Sequence, residues 1–303
     1  MINYARLKAA ALSLMIFSSP LFAEEISVET ARGAVSVTKI PKTIAVFDIP
    51  AVDTLHALGV PIAGTVGKMY VDYLDDVTDS AKVVGSLFDP DFKALSIMQP
   101  DLIIVGGRSS TSIDKVSKIA PAIDMTITGD ALLDLTRQRL KTYGELFDKE
   151  EKAKSLTAEL DEAIKAAQEA VAGKGNGLII MTNGAKLSAF GVGSRFGWIY
   201  PALNLPASTD DITVANHGDS VSFEFILQQN PDWLLVVDRG QAIGQEGNSA
   251  NQTLDNEIIH KTKAWKNKQI VYLNSADIYI SSGGIQSQLR TLKHITKLFN
   301  KEK

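Results

Sequence analysis

Asp148-Lys149-Glu150-Glu151-Lys152-Ala153-Lys154-Ser155-Leu156-Thr157-Ala158-Glu159-Leu160, continuing as Asp161-Glu162-Ala163-Ile164-Lys165-Ala166-Ala167-Gln168-Glu169-Ala170-Val171-Ala172-Gly173, divides the chain in two. Ala153, Leu156, Leu160, Ile164, Ala167 and Val171 recur at three- and four-residue steps, the apolar stripe of an amphipathic helix. Asp148 is placed as its N-cap, with Glu151 completing a capping box. Glu150–Lys154 and Asp161–Lys165 have i,i+4 spacing for ion pairs. Gly173 stops the helix, and Lys174-Gly175-Asn176-Gly177 is a turn-rich exit. At about 1.5 Å per residue, residues 149–172 make a rod of roughly 36 Å. Residues 24–148 and 173–303 flank it as two nearly equal, domain-sized halves. Two lobes on one stiff connector are expected.

Residues 1–23 read as a signal peptide and not as fold. Arg6 and Lys8 form its basic region, Ala9 to Phe17 its apolar core, and Pro20-Leu21-Phe22-Ala23 leads to the cut before Glu24. The expectation is an exported, soluble, periplasmic protein. The chain has no cysteine, so neither a disulfide framework nor a lipid-anchored cysteine is expected. Removing Arg6 and Lys8 takes the formal charge from −4 to −6. Such a chain has no bulk attraction for nucleic acid or anionic membrane. An anionic ligand must therefore be held by a local group of basic residues.

Both halves alternate apolar strands with helices, which calls for an α/β fold with largely parallel sheets. In the first half, strands are expected at 44–47, 62–66, 82–84 and 102–105, with helices at 50–58, 92–98, 113–119 and 130–147. In the second, strands fall at 178–181, 187–190, 233–237 and 270–273, with a helix at 223–229 and a closing one. One internal repeat is more specific. Gln99-Pro100-Asp101-Leu102-Ile103-Ile104-Val105 and Asn230-Pro231-Asp232-Trp233-Leu234-Leu235-Val236 each end a helix at Pro-Asp, then run an apolar strand. Each places an arginine eight residues after the proline, Arg108 and Arg239. Parallel sheets bind ligands beyond the carboxyl ends of their strands. Both arginines are thus positioned to face one another across a cleft, although Pro-Asp-strand is also common α/β punctuation.

Gly191-Val192-Gly193-Ser194-Arg195-Phe196-Gly197 is one residue too long for a dinucleotide fingerprint and lacks the first glycine of a nucleophile elbow. What remains is a glycine-rich loop presenting a third arginine, Arg195. Of four histidines, His56 reads as a helix-surface residue, and His260 and His294, flanked by lysines, as solvated. His217 lies in a polar loop. The chain cannot gather a zinc site, and no nucleophile–base pair supports a hydrolase. A periplasmic enzyme is therefore disfavoured. Tyr279, in Asp277-Ile278-Tyr279-Ile280-Ser281-Ser282-Gly283-Gly284, is either a loop tyrosine packed on its lobe or a metal ligand. A phenolate and an imidazole suit Fe(III) that is already mostly chelated, because hard oxygen matches a trivalent ion whose charge drives deprotonation.

Over the whole mature chain the sequence resembles the periplasmic binding proteins of ABC importers whose two lobes share one long helix, in the branch that binds ferric siderophores, particularly catecholates. The resemblance rests on residues 41–48, 100–104, 186–197 and 279–284. It implies two Rossmann-like lobes with a ligand cleft between them. It also implies that Arg108, Arg195 and Arg239 contact catecholate oxygens, while His217 and Tyr279 complete the iron coordination. Fe(III) arrives as a siderophore complex, with no intrinsic cofactor. Other iron chelates, haem or a corrinoid are the alternative ligands. The expected partners are the ferric siderophore and an inner-membrane ABC permease, with the protein a monomer. Acidic residues on each lobe dock on that permease in the family. Glu224 matches the second-lobe position; Lys93 stands at the first-lobe position, where Asp91, or Asp89, is expected to substitute.

Overall fold

The computed structural model describes residues 24–127, 131–215 and 217–300; the proposed signal peptide lies outside them. Twelve strands make up three sheets in the described residues: β1 (Glu25–Thr30), β2 (Gly33–Thr38), β3 (Ile44–Val46), β4 (Gly64–Thr65), β5 (Lys82–Val83), β6 (Leu102–Val105), β7 (Ala122–Asp124), β8 (Gly177–Asn183), β9 (Lys186–Phe190), β10 (Asp219–Val221), β11 (Trp233–Asp238) and β12 (Ile270–Tyr272). The helices that bear on the site are α1 (Ile49–Leu58), α2 (Phe92–Met98), α3 (Leu132–Leu146), α4 (Glu150–Val171), α5 (Phe223–Gln229), α6 (Arg239–Ile243), α7 (Ala250–Leu254), α8 (Ser275–Tyr279) and α9 (Ile285–Phe299).

The first lobe is built on a parallel sheet of order β5-β4-β3-β6-β7. Its central strands β3 and β6 are buried at every residue, as expected of parallel strands covered on both faces. The second lobe has order β10-β9-β8-β11-β12. There β8, β11 and β12 run parallel, whereas β9 and β10 fold back as antiparallel strands, so this sheet is more mixed than the sequence suggested. The sequence reading passed over the β1–β2 hairpin, whose half-exposed strands carry little apolar pattern. It is fixed to the first lobe by Ala31 N–H on the Asp124 carbonyl at 2.9 Å and by Arg32 Nε on the Asp124 carboxylate at 2.9 Å.

The connector α4 buries the whole predicted stripe, together with Ala163 and Ala170. Its start differs from the expectation. Lys149 is the N-cap and makes no side-chain cap, while Asp148 takes a left-handed conformation at φ 58°. The cause is the tight α3–α4 corner. Gly144 of α3 sits so close to α4 that a β-carbon there would come within 2.8 Å of the Ala153 β-carbon, and Asp148 turns the chain instead of capping it. The surface pairs differ too. Lys154 meets Glu151 at 2.6 Å, and Asp161 meets Arg137 of α3 at 2.7 Å. An i,i+3 neighbour takes Lys154 and a tertiary one takes Asp161, since i,i+4 pairs are worth only a few tenths of a kcal/mol.

The repeat around the two arginines is structural. Asp91 and Ser222 cap α2 and α5 with their side chains, and both helices end in a left-handed residue, Gln99 and Asn230. Asp101 and Asp232 then accept backbone amides at the start of the neighbouring strand, from Thr43 at 2.8 Å and Asn176 at 3.1 Å. From cap to arginine, counterparts stay 131 residues apart.

The last helix, α9, packs on both α1 and α4. Asp53 of α1 is fully buried and accepts Gln286 N–H at 2.7 Å, Ser287 N–H at 3.0 Å and the Tyr73 hydroxyl at 2.6 Å. A first-lobe carboxylate thus satisfies the N-terminal amides of the final helix, which has no side-chain cap of its own.

Candidate ligand-binding cleft

Tyr279 ends α8, not a loop as the sequence reading had it, and the turn Ile280–Gly284 carries the chain into α9. The two glycines of that turn lie against the first lobe. A β-carbon on Gly283, at φ 96°, would strike Ile127 at 2.5 Å, and one on Gly284 would strike the Asp53 carboxylate at 2.4 Å. Tyr279 is thereby held half-buried at the junction of the lobes.

Three arginines converge on it from separate segments. Arg108 follows β6 through Gly106 and Gly107. Gly106 passes directly over Asp48, leaving no room for a β-carbon, and Gly107 donates to Thr126 Oγ1 at 2.9 Å. From this turn Arg108 Nη2 reaches the Tyr279 carbonyl at 3.0 Å. Arg195 Nη2 donates to the same carbonyl at 2.5 Å, and its guanidinium lies 4.2 Å from the Tyr279 ring centroid. Arg239, the first residue of α6, places Nε 3.2 Å from the Tyr279 hydroxyl and Nη1 3.3 Å from Asn183 Oδ1.

The Gly191–Gly197 loop is built for presenting Arg195. Ser194 Oγ donates back to the Gly191 carbonyl at 2.5 Å, and Gly197 lies so close over that carbonyl that a side chain cannot be placed there. Phe196, fully buried, packs on Phe190 with ring centroids 4.6 Å apart.

The electrostatics follow from this convergence. Burial alone would raise the Tyr279 phenol, but the Arg239 hydrogen bond and the charges of Arg195, Arg239 and Arg108 outweigh it and hold the phenol below its ordinary value. Arg195 is lowered, first by burial and then by the like charge of Arg108. Three cations are packed around one neutral phenol.

His217 stands outside that hydrogen-bonded group. It is exposed on a loop beside the arginine loop, where Ile212 lies against Gly191 and Val214 against Gly193. His56 lies on the surface of its helix, as read, whereas His294 is more enclosed than the solvated residue expected. His56 reaches Asp76 at 3.1 Å and Gln286 at 3.1 Å, and His294 contacts the Tyr272 carbonyl at 3.0 Å. Among the described residues no three His, Asp or Glu side chains gather to hold a bare metal ion.

The sequence reading missed Lys68. It follows β4, its Nζ lies 4.5 Å from the Tyr70 ring centroid, and it reaches the Ile243 carbonyl of α6 at 3.4 Å, across the cleft. The rule that found Arg108 and Arg239, a basic residue just past the carboxyl end of a parallel strand, also selects Lys68.

On the two helices of the repeat, Lys93 and Glu224 occupy equivalent, exposed positions. The Asp91 carboxylate accepts the amides of Lys93 and Ala94, both at 2.9 Å, so it serves α2 as a cap. No described helix is long and apolar enough to cross a membrane.

Residues 44–276 match the family described as Periplasmic binding protein. The chain belongs to that family. It is accordingly a solute-binding protein and not an enzyme. The petrobactin-binding protein YclQ of Bacillus subtilis is 37% identical over 278 residues, spanning 90% of this chain and 87% of that protein. Its crystal structure superposes with a TM-score of 0.86, covering 92% of this chain and all of the other. The ferric-anguibactin-binding protein FatB of Vibrio anguillarum is 28% identical over 90% of this chain and 87% of its own length. The periplasmic catecholate-siderophore binding protein VctP of Vibrio cholerae, 28% identical, superposes with a TM-score of 0.83 over 90% of this chain and all of the other. The two-lobed fold of this periplasmic binding protein is shared with these structures.

Proposed function

We propose that this protein captures an anionic ferric siderophore of catecholate type between its lobes and delivers it to an inner-membrane ABC permease for iron uptake. The observation that carries the reading is the convergence of Arg108, Arg195 and Arg239 on Tyr279. Packing three guanidiniums into a half-buried cleft is unfavourable unless an anion arrives to pair with them, and charge-assisted bonds to oxygen anions are strong there. VctP is named for catecholate siderophores and FatB for a ferric ligand, which supports the same reading.

In this reading the iron is cargo, not a cofactor. Tyr279 supplies a phenolate to Fe(III) that the chelator leaves incompletely coordinated, and His217 reaches the metal when its loop closes on the ligand. Residues 24–148 and 173–303 act as the two lobes of a monomer, with 149–172 as the stiff connector, after removal of 1–23 delivers the chain to the periplasm. Glu224, with Asp91 on the other lobe, faces the permease.

The test is a titration with a ferric bis-catecholate. Binding should quench tryptophan fluorescence with one-to-one stoichiometry and perturb the catecholate charge-transfer band, and Tyr279→Phe should move that band. Absence of a stoichiometric complex would refute the reading.

A further inference from the structure

A cavity of about 370 Å³ opens beside Arg239, beyond the carboxyl ends of β8, β11 and β12. Its volume is within the roughly 300–1,000 Å³ of small-molecule sites. Its position is the one where parallel sheets hold ligands. Asn183, Asp238, Gln241, Glu246, Asn251 and Tyr272 supply much of its wall. Arg239 connects it to the arginine cluster. Both sequence neighbours of Arg239 line the cavity, and its Nη1 contacts Asn183 Oδ1. A molecule held by the arginines can therefore extend into this space.

The wall's chemistry is opposite to that of the cluster. Among the described residues no lysine or arginine lines it; carboxamides, hydroxyls and two carboxylates do. Asp238 uses its carboxylate to accept Gln241 N–H at 3.0 Å and Ala250 N–H at 2.7 Å, which ties α6 to α7. Tyr272 donates its hydroxyl to Asn251 Oδ1 at 3.1 Å, which fixes the far side. Glu246, exposed at the rim, is the carboxylate left to meet a ligand.

We propose that this cavity is a second subsite, for the part of the chelator that carries no iron, and that it accepts an amine- or amide-bearing arm and rejects a carboxylate. The proposal rests on the reading of the arginine cleft as the ferric-chelate site. A charged hydrogen bond in such a setting is worth about tenfold in affinity.

Three ferric bis-catecholamide chelates test it, identical except that the bridge bears no pendant group, a primary amine or a carboxylate. With the wild-type protein the amine should bind about tenfold tighter than the plain chelate, and the carboxylate more weakly than the plain one. Asn248→Trp, which fills the cavity from its exposed rim, should erase the amine advantage and leave the plain chelate unaffected. Glu246→Lys, an exposed change that leaves the fold intact, should reverse the order of amine and carboxylate. Equal binding of all three chelates to wild type, or an amine advantage that survives Asn248→Trp, overturns the subsite while the cleft reading stands. A plain chelate that fails to bind wild type overturns the cleft reading itself.

Discussion

Arg108 of the first lobe and Tyr279 of the second are joined by a 3.0 Å hydrogen bond from guanidinium to backbone carbonyl. Arg195 uses the same carbonyl, so two cations share one neutral acceptor that leaves their charge uncompensated. A chelate oxygen bearing negative charge is the better partner. Each of Arg108→Ala, Arg195→Ala and Arg239→Ala should weaken binding of a ferric bis-catecholate by about 1.5–3 kcal/mol, the range for hydrogen bonds to charged groups. Arg→Lys should recover only part, because a point charge does not reproduce a planar fork. Fluorescence titration measures this, and wild-type affinity in all three alanine variants would remove the assignment.

The same contacts make the Tyr279 phenol a stronger acid. Each arginine favours the phenolate, and together they outweigh burial. Absorbance titration of wild type against Tyr279→Phe should show one phenol ionising below the ordinary value of about 10. Arg239→Ala removes both the hydrogen bond to the hydroxyl and a nearby charge, so it should shift that ionisation upward. A Tyr279 that titrates like a free tyrosine would contradict the geometry.

The connector and the arginine pair were legible because their signals are local. The stripe of α4 and the Pro-Asp-strand-Arg spacing are both properties of one contiguous segment. The cap at Asp148 was misread because the α3–α4 corner, a contact between two helices, decides that residue's backbone. Asp53 was invisible for the same reason, since the helix amides it accepts lie more than 200 residues away. The Ser-Gly-Gly stretch after Tyr279 stood out in the sequence, but only the fold supplies its physical cause, the approach of Ile127 and Asp53.

That approach predicts a stability effect separate from ligand contacts. Asp53→Ala would strand the amides of Gln286 and Ser287 and the Tyr73 hydroxyl at a fully buried position. A loss of about 2–4 kcal/mol in urea unfolding is expected, since each orphaned buried group costs about 1–3 kcal/mol and partial relaxation offsets some of it. Asp53→Asn keeps one acceptor and should lose less. Gly284→Ala pushes against the same carboxylate and should also destabilise. Unchanged unfolding midpoints in all three would mean that the lobe junction does not depend on this cap.

The two helices of the repeat carry opposite charges at one equivalent position, Lys93 on α2 and Glu224 on α5. If the permease reads Glu224, Glu224→Ala should leave ferric-chelate affinity unchanged and slow transport in vesicles containing the permease. The residue is exposed and lies outside the arginine cluster, so lost chelate binding would move it out of the docking role. Asp91 needs a control, because it caps α2. Asp91→Ala should cost about 1 kcal/mol of stability through the lost cap, whereas Asp91→Asn keeps a capping oxygen and removes only the charge. Slower transport in Asp91→Asn, at wild-type stability and affinity, would support docking through that carboxylate. Unchanged transport there, with loss in Glu224→Ala, would mean that docking charge sits on the second lobe. Lys93→Glu then separates the remaining cases. Faster transport means that the permease offers cations to both lobes, and slower transport means that it meets Lys93 with an acid.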